Sequence, residues 1–92
     1  MSEGHWLVEL ARAAQRQLRR LPPGDAARLR GPILALAIDP HPPGSAKLLD
    51  TEFSRIRIGE LRVIYTIDDT SNLIVVLKVA RRSESTYRRI DP

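Results

Sequence analysis

Between Phe53 and Tyr65 the chain reads FSRIRIGELRVIY, two runs of alternating apolar and polar residues joined by Gly59-Glu60. Alternation on both sides of a two-residue turn predicts an antiparallel β-hairpin. With Gly59 and Glu60 as the loop, Ile58 faces Leu61, Arg57 faces Arg62, Ile56 faces Val63 and Arg55 faces Ile64. That register puts Ile56, Ile58, Leu61, Val63 and Tyr65 on one side of the sheet, and Arg55, Arg57 and Arg62 on the other.

The flanking segments predict the layer that covers the apolar side. His5–Leu10, HWLVEL, reads as a short strand, with Trp6 as a core or edge-packing residue. Ala11–Leu21 places Ala11, Ala14, Leu18 and Leu21 at helical spacing and turns Arg12, Arg16, Arg19 and Arg20 outward, and Pro22-Pro23 ends that helix. A second helix opens at Gly24-Asp25 with Asp25 as N-cap, buries Ala26, Leu29, Ile33, Leu36 and Ala37, and ends near Asp39-Pro40. Gly31-Pro32 inside it predicts a kink or a break into two short helices. Pro40–Ser45 is a rigid surface connection, after which Lys47-Leu48-Leu49 is expected to pack back against the body. The chain turns again at Asp68–Ser71, and Leu73–Ala80, LIVVLKVA, is an apolar run suited to a strand covered on both faces. The expected fold class is α+β, in the order β-α-α-β-β-β. A helical hairpin lies on one face of a small, mainly antiparallel sheet, and the first strand is added at one side of a three-stranded meander, antiparallel to the second strand if the two are adjacent.

Ninety-two residues, 42% of them apolar, are enough for one domain with a modest core. The absence of cysteine excludes a disulfide framework, a thiolate metal site and a catalytic thiol. No apolar run approaches the length of a membrane helix and the N-terminus lacks the pattern of a signal peptide, so a cytoplasmic protein without membrane contact is expected. His5 and His41 have no catalytic neighbour in the sequence and read as incidental surface residues. No His/Asp/Glu grouping has metal-ligand spacing, and neither metal nor cofactor is expected.

Charge adds chemistry to this picture. The net charge is +4, and thirteen of the fifteen basic residues are arginine, Lys47 and Lys78 being the exceptions. Arginine grips phosphate through a planar fork, although a GC-rich genome would give the same bias. Three arginines on one hairpin face repel one another, so an anion is the natural occupant of that face, the plainer alternative being a solvated polar face. Arg81 and Arg82 directly follow the last strand, with Tyr87, Arg88 and Arg89 a few residues on.

The run DPHPPGSAKLLDTEFSRIRIGELRVIYTIDDTSNLIVVLKVARRSESTYRR resembles the RelE/ParE superfamily of toxins from toxin–antitoxin pairs. It carries that family's P-x-P…K-L motif, its R-I-R-x-G-x-x-R-V-I-Y hairpin, the acidic turn, the apolar strand and the R-x-x-x-x-x-Y tail, and the N-terminal strand and helices correspond as well. In the RelE branch the resemblance implies a ribosome-dependent endoribonuclease that enters the ribosomal A site and cuts mRNA. It implies catalytic roles for Arg55, Arg57, Arg62, Arg81 and Tyr87, with Arg82 able to stand in for Arg81, and RNA-binding roles for Arg82, Arg88 and Arg89. Arg55 and Arg57 replace the lysines of the best-known members. Guanidinium groups keep their protons, so these two are poor bases but good stabilisers of negative charge. Tyr87 is suited to stacking on a base or orienting the 2′-hydroxyl, and Glu84 is the one carboxylate near the tail cluster, with capping or surface solvation the plainer role for it.

Metal-free RNA cleavage uses the 2′-hydroxyl as nucleophile, and a preorganised arginine cluster suits the charge that builds on the phosphate oxygens. The partners expected are mRNA, the ribosome and a cognate antitoxin whose acidic or amphipathic segment covers the basic face. Two alternatives share the fold. One is a ParE-like inhibitor that binds DNA gyrase without chemistry, and the other is a degenerate toxin that binds only its antitoxin.

Overall fold

The computed structural model describes residues 5–81. Five strands and two helices follow in the order β1 (Leu7–Leu10), α1 (Arg12–Arg20), α2 (Pro23–Ala35), β2 (Ser45–Lys47), β3 (Ser54–Ile58), β4 (Leu61–Asp68) and β5 (Leu73–Arg81). The sheet order is β1-β5-β4-β3-β2. The α+β class holds, with one strand more than the sequence pattern indicates: β2 is three residues long and pairs antiparallel with the outer edge of β3. β1 does not neighbour the hairpin but lies beside β5, parallel to it, with Leu7 level with Leu73 and Leu10 level with Val76.

The hairpin has the register read from its alternation, from Ser54 opposite Tyr65 to Ile58 opposite Leu61. Ile56, Leu61, Val63 and Tyr65 join Ala14, Leu29, Ile33, Leu36, Ile74, Val76 and Val79 in one core beneath the helices, with Trp6, Leu18, Leu21 and Ile58 packed at its margin. Tyr65 is fully buried, and its hydroxyl donates to the Pro40 carbonyl at 2.8 Å, tying the segment after α2 to the middle of the sheet.

α2 departs from expectation at both its start and its middle. Pro22 is the N-cap, Pro23 occupies the first turn, where the missing N–H costs nothing, and Asp25 lies inside that turn instead of capping it. The helix runs unbroken through Pro32 for thirteen residues. The hydrogen bond that Pro32 cannot make would have gone to the carbonyl of Arg28, an exposed residue, while Leu29, Ile33 and Leu36 still reach the core. The loop after β2 also differs from expectation: Leu48 is half-buried, but Leu49 is 75% exposed and does not pack back.

Where β1 stops, α1 takes over its edge of β5. The Ala11 N–H donates to the Val76 carbonyl at 2.9 Å, and the Gln17 side-chain oxygen accepts from the Val79 N–H at 2.7 Å. At the β4–β5 turn the Asp68 carboxylate accepts from the Thr70 and Ser71 amides. Its pKa lies below the usual range, first because of the Ser71 hydroxyl and then because of those amides. Among the described residues no helix is long and apolar enough to cross a membrane.

Candidate functional site

Both helices lie on the Tyr65 side of the sheet, which leaves the other side of the hairpin to its arginines. Arg57 stands directly opposite Arg62, and Arg55 stands opposite Ile64. Arg57 is exposed, whereas Arg55 and Arg62 are half-buried. Directly opposed residues in an antiparallel pair have Cβ atoms about 5 Å apart, so like charges there are unfavourable in the absence of an anion. Ile64 is 5% exposed and belongs to this face, outside the core cluster.

β5 contributes to the face through an irregularity. Ile64 pairs with Lys78, but Tyr65 pairs with Val76, so Leu77 is an extra residue without a partner on β4. A bulge of this kind shifts the phase of everything beyond it. Ile74 and Val76 point into the core before it and Val79 after it, and Lys78 and Ala80 therefore emerge on the arginine face. Two rows cross the three strands there: Arg55, Ile64 and Lys78, then Arg57, Arg62 and Ala80. Lys78 is the residue of this face that the sequence reading assigned no role. Its register was hidden because LIVVLKVA is apolar on both sides and carries no alternation to count.

The same shift decides where Arg81 goes. It pairs with Leu61, a fully buried residue of the helix side, and its guanidinium donates to the Asp25 carboxylate at 2.6 Å. Arg81 therefore does not join Arg55, Arg57 and Arg62 around one centre, contrary to the convergence expected of them. Asp25 is 14% exposed in its side chain and also receives Arg28 at 3.6 Å. Arg28 in turn lies against the hairpin loop at Gly59, which has φ +63. Gly59→Ala is expected to lower stability by about 1–2 kcal/mol through the left-handed backbone, and urea unfolding would show that cost persisting when Arg28→Ala removes the contact. Arg82, Glu84, Tyr87, Arg88 and Arg89 lie outside the described residues. His5 and His41 are exposed, and among the described residues no three His, Asp or Glu side chains gather to hold a metal.

The arrangement suits a phosphodiester on the open face of the hairpin, with cations from three strands around an apolar centre at Ile64. A family model described as the ParE toxin of type II toxin–antitoxin systems matches residues 8–86. The chain belongs to the RelE/ParE superfamily of toxins.

This toxin is 37% identical to Toxin RelE of Mycobacterium tuberculosis over 94 aligned residues, covering 96% of the chain and 93% of the relative. Among solved structures, the fold resembles a toxin–antitoxin complex from Mycobacterium tuberculosis with TM-score 0.76, at 26% identity over 86% of this chain and 94% of the other. An archaeal RelE–RelB complex from Pyrococcus horikoshii gives TM-score 0.77 at 25% identity, covering 88% and 99%. The isolated RelE toxin of E. coli, at 16% identity and TM-score 0.76 over 90% of both chains, shares the fold. The chain is a toxin of the RelE family, with the arginine face as its most distinctive surface.

Proposed function

We propose that this toxin is a ribosome-dependent mRNA endoribonuclease and that Arg55, Arg57 and Arg62 stabilise the transition state of phosphodiester cleavage. The observation that carries the proposal is the cross-strand register of Arg57 and Arg62, with Arg55 one row away. Opposed arginines repel one another, and a phosphate lying between them offsets that repulsion. The 2′-oxygen attacks the adjacent phosphorus, the bond to the 5′-oxygen breaks, and charge accumulates on the equatorial oxygens. Guanidinium groups already fixed on a sheet meet that charge without reorganising. Tyr87, by resemblance, would stack on a neighbouring base, and Arg82, Arg88 and Arg89 would add contacts to the RNA backbone. The ribosome supplies an mRNA held in a single-stranded, splayed conformation that in-line attack requires.

A cognate antitoxin is the second partner we propose, because the relatives described above include toxins solved with their antitoxins. Its natural target is the basic face, which in the free toxin carries concentrated positive charge.

Mapping mRNA ends after incubation with purified, programmed ribosomes tests the reading. New ends that require the ribosome are expected. The family model that matches the chain is the ParE model, which keeps gyrase inhibition as the second reading. Blocked supercoiling by purified gyrase, with mRNA left intact, would replace the first reading with the second.

A further inference from the structure

We infer that Lys78 is the general acid of the cleavage reaction, the group that protonates the departing 5′-oxygen; the inference rests on the endoribonuclease reading above. It starts from the β-bulge. Without the extra residue Leu77, counting from Ile74 and Val76 in steps of two would place residue 78 in the core, where a lysine is costly to bury. The bulge instead brings Lys78 out opposite Ile64, in the row that begins with Arg55 and diagonal to Arg62. Bulges are found beside active sites because they re-aim a single side chain, and here the side chain re-aimed is a half-buried lysine turned to a face of arginines.

The chemistry gives that lysine a distinct task. Cleavage by a 2′-hydroxyl leaves an alkoxide on the 5′-oxygen, a poor leaving group unless a proton reaches it as the bond breaks. The hairpin arginines hold their protons too firmly to donate one, and lysine is the cationic side chain whose chemistry includes proton transfer. Charged groups on the elements beside Lys78 are the hairpin arginines, Asp68 at the far end of β4 opposite Leu73, the outward arginines of α1 and, on the same face but level with Val75, Glu9 of β1. Among the described residues of the arginine face, Lys78 is the one cation that is not a guanidinium. In the step assigned to it, the bond between the 2′-oxygen and phosphorus forms and the bond to the 5′-oxygen breaks. The Lys78 ammonium proton passes to the 5′-oxygen, and the 2′-hydroxyl proton passes to solvent water. The products are a 2′,3′-cyclic phosphate and a 5′-hydroxyl, and solvent then reprotonates the amine.

The test uses leaving-group substitution. Once the cut made by the unaltered toxin has been mapped, an mRNA is prepared with sulfur in place of the 5′ bridging oxygen at that position, since a thiolate leaves without a proton. On the ordinary message Lys78→Met is expected to be slower by about 10²–10⁴-fold, the usual contribution of a general acid, and on the sulfur-bearing message by less than about tenfold. Arg62→Ala, which removes charge stabilisation, is expected to slow both messages alike. Lys78→Arg restores the positive charge but not the labile proton, and is expected to behave as Lys78→Met does. Comparing two messages with one protein preparation cancels any loss of folded toxin. Equal slowing of both messages by Lys78→Met, no slowing of either, or full activity in Lys78→Arg would overturn the assignment. Absence of any cut by the unaltered toxin would instead remove the endoribonuclease reading itself.

Discussion

Arg62→Ala is expected to slow mRNA cleavage on ribosomes by about a hundredfold or more, corresponding to roughly 3 kcal/mol of lost transition-state stabilisation. Arg62 is half-buried and stands between Arg57 on β3 and Ala80 on β5, in the middle strand of the face. A donor there is fixed by the sheet, and its field is less screened than that of the exposed Arg57. The same substitution removes a like-charge contact with Arg57. Arg81→Ala supplies the contrast. Arg81 is turned to the helix side and bound to Asp25, so its loss should cost stability through the broken ion pair and affect chemistry less than Arg62→Ala does. Single-turnover cleavage rates and melting curves of the two variants separate these outcomes. A larger catalytic loss for Arg81→Ala than for Arg62→Ala would show that the face defined by the β4–β5 register is not where the RNA reacts.

The second large effect is structural and falls on Tyr65. Tyr65→Ala is expected to cost about 3–5 kcal/mol, as for other large aromatic truncations in a packed core. The side chain is fully buried, and its hydroxyl holds the Pro40 carbonyl. A small domain has only about 5–15 kcal/mol in total, so the variant should be marginal at physiological temperature. Tyr65→Phe keeps the ring and is expected to cost about 1–2 kcal/mol, because the buried carbonyl of Pro40 loses its donor. The two variants also differ from the unaltered toxin in alkali. Burial, reinforced by the negative charge of Asp39 and opposed by the Ser45 hydroxyl, raises the Tyr65 pKa above its ordinary value. The folded state thus holds the phenolic proton more tightly than the unfolded chain does. That contribution is fully present below about pH 10, where both states are protonated, and is lost as pH rises through the higher native value. Urea unfolding at neutral and strongly alkaline pH should show this loss in the unaltered toxin and a smaller one in Tyr65→Phe.

The sequence made some of these features legible and hid others for identifiable reasons. The hairpin could be read to the residue because its two faces differ in polarity and Gly59-Glu60 fixes the loop. Its arginine face and apolar face followed from that register. α1 was equally plain, since Ala14 and Leu18 recur at helical spacing and Pro22-Pro23 closes the segment. β2 was not legible, because Ser45–Lys47 form a strand through backbone pairing with β3 and carry no pattern of their own. Pro32 misled because local propensity favours a break, whereas the core contacts of Leu29, Ile33 and Leu36 on either side hold the helix together. The bulge at Leu77 had the largest consequence. A strand apolar on both sides gives no phase to count, so neither the turn of Lys78 to the arginine face nor that of Arg81 to the helix side could be inferred from spacing.

The most direct test is the chemistry of the ends produced when the purified toxin meets mRNA on programmed ribosomes. Attack by the 2′-hydroxyl on a phosphate held against Arg55, Arg57 and Arg62 predicts upstream fragments ending in a 2′,3′-cyclic phosphate and downstream fragments beginning with a 5′-hydroxyl, both formed about a hundredfold or more slowly in Arg62→Ala. Fragments that begin with a 5′-phosphate, or ends that form equally well in Arg62→Ala, would contradict it.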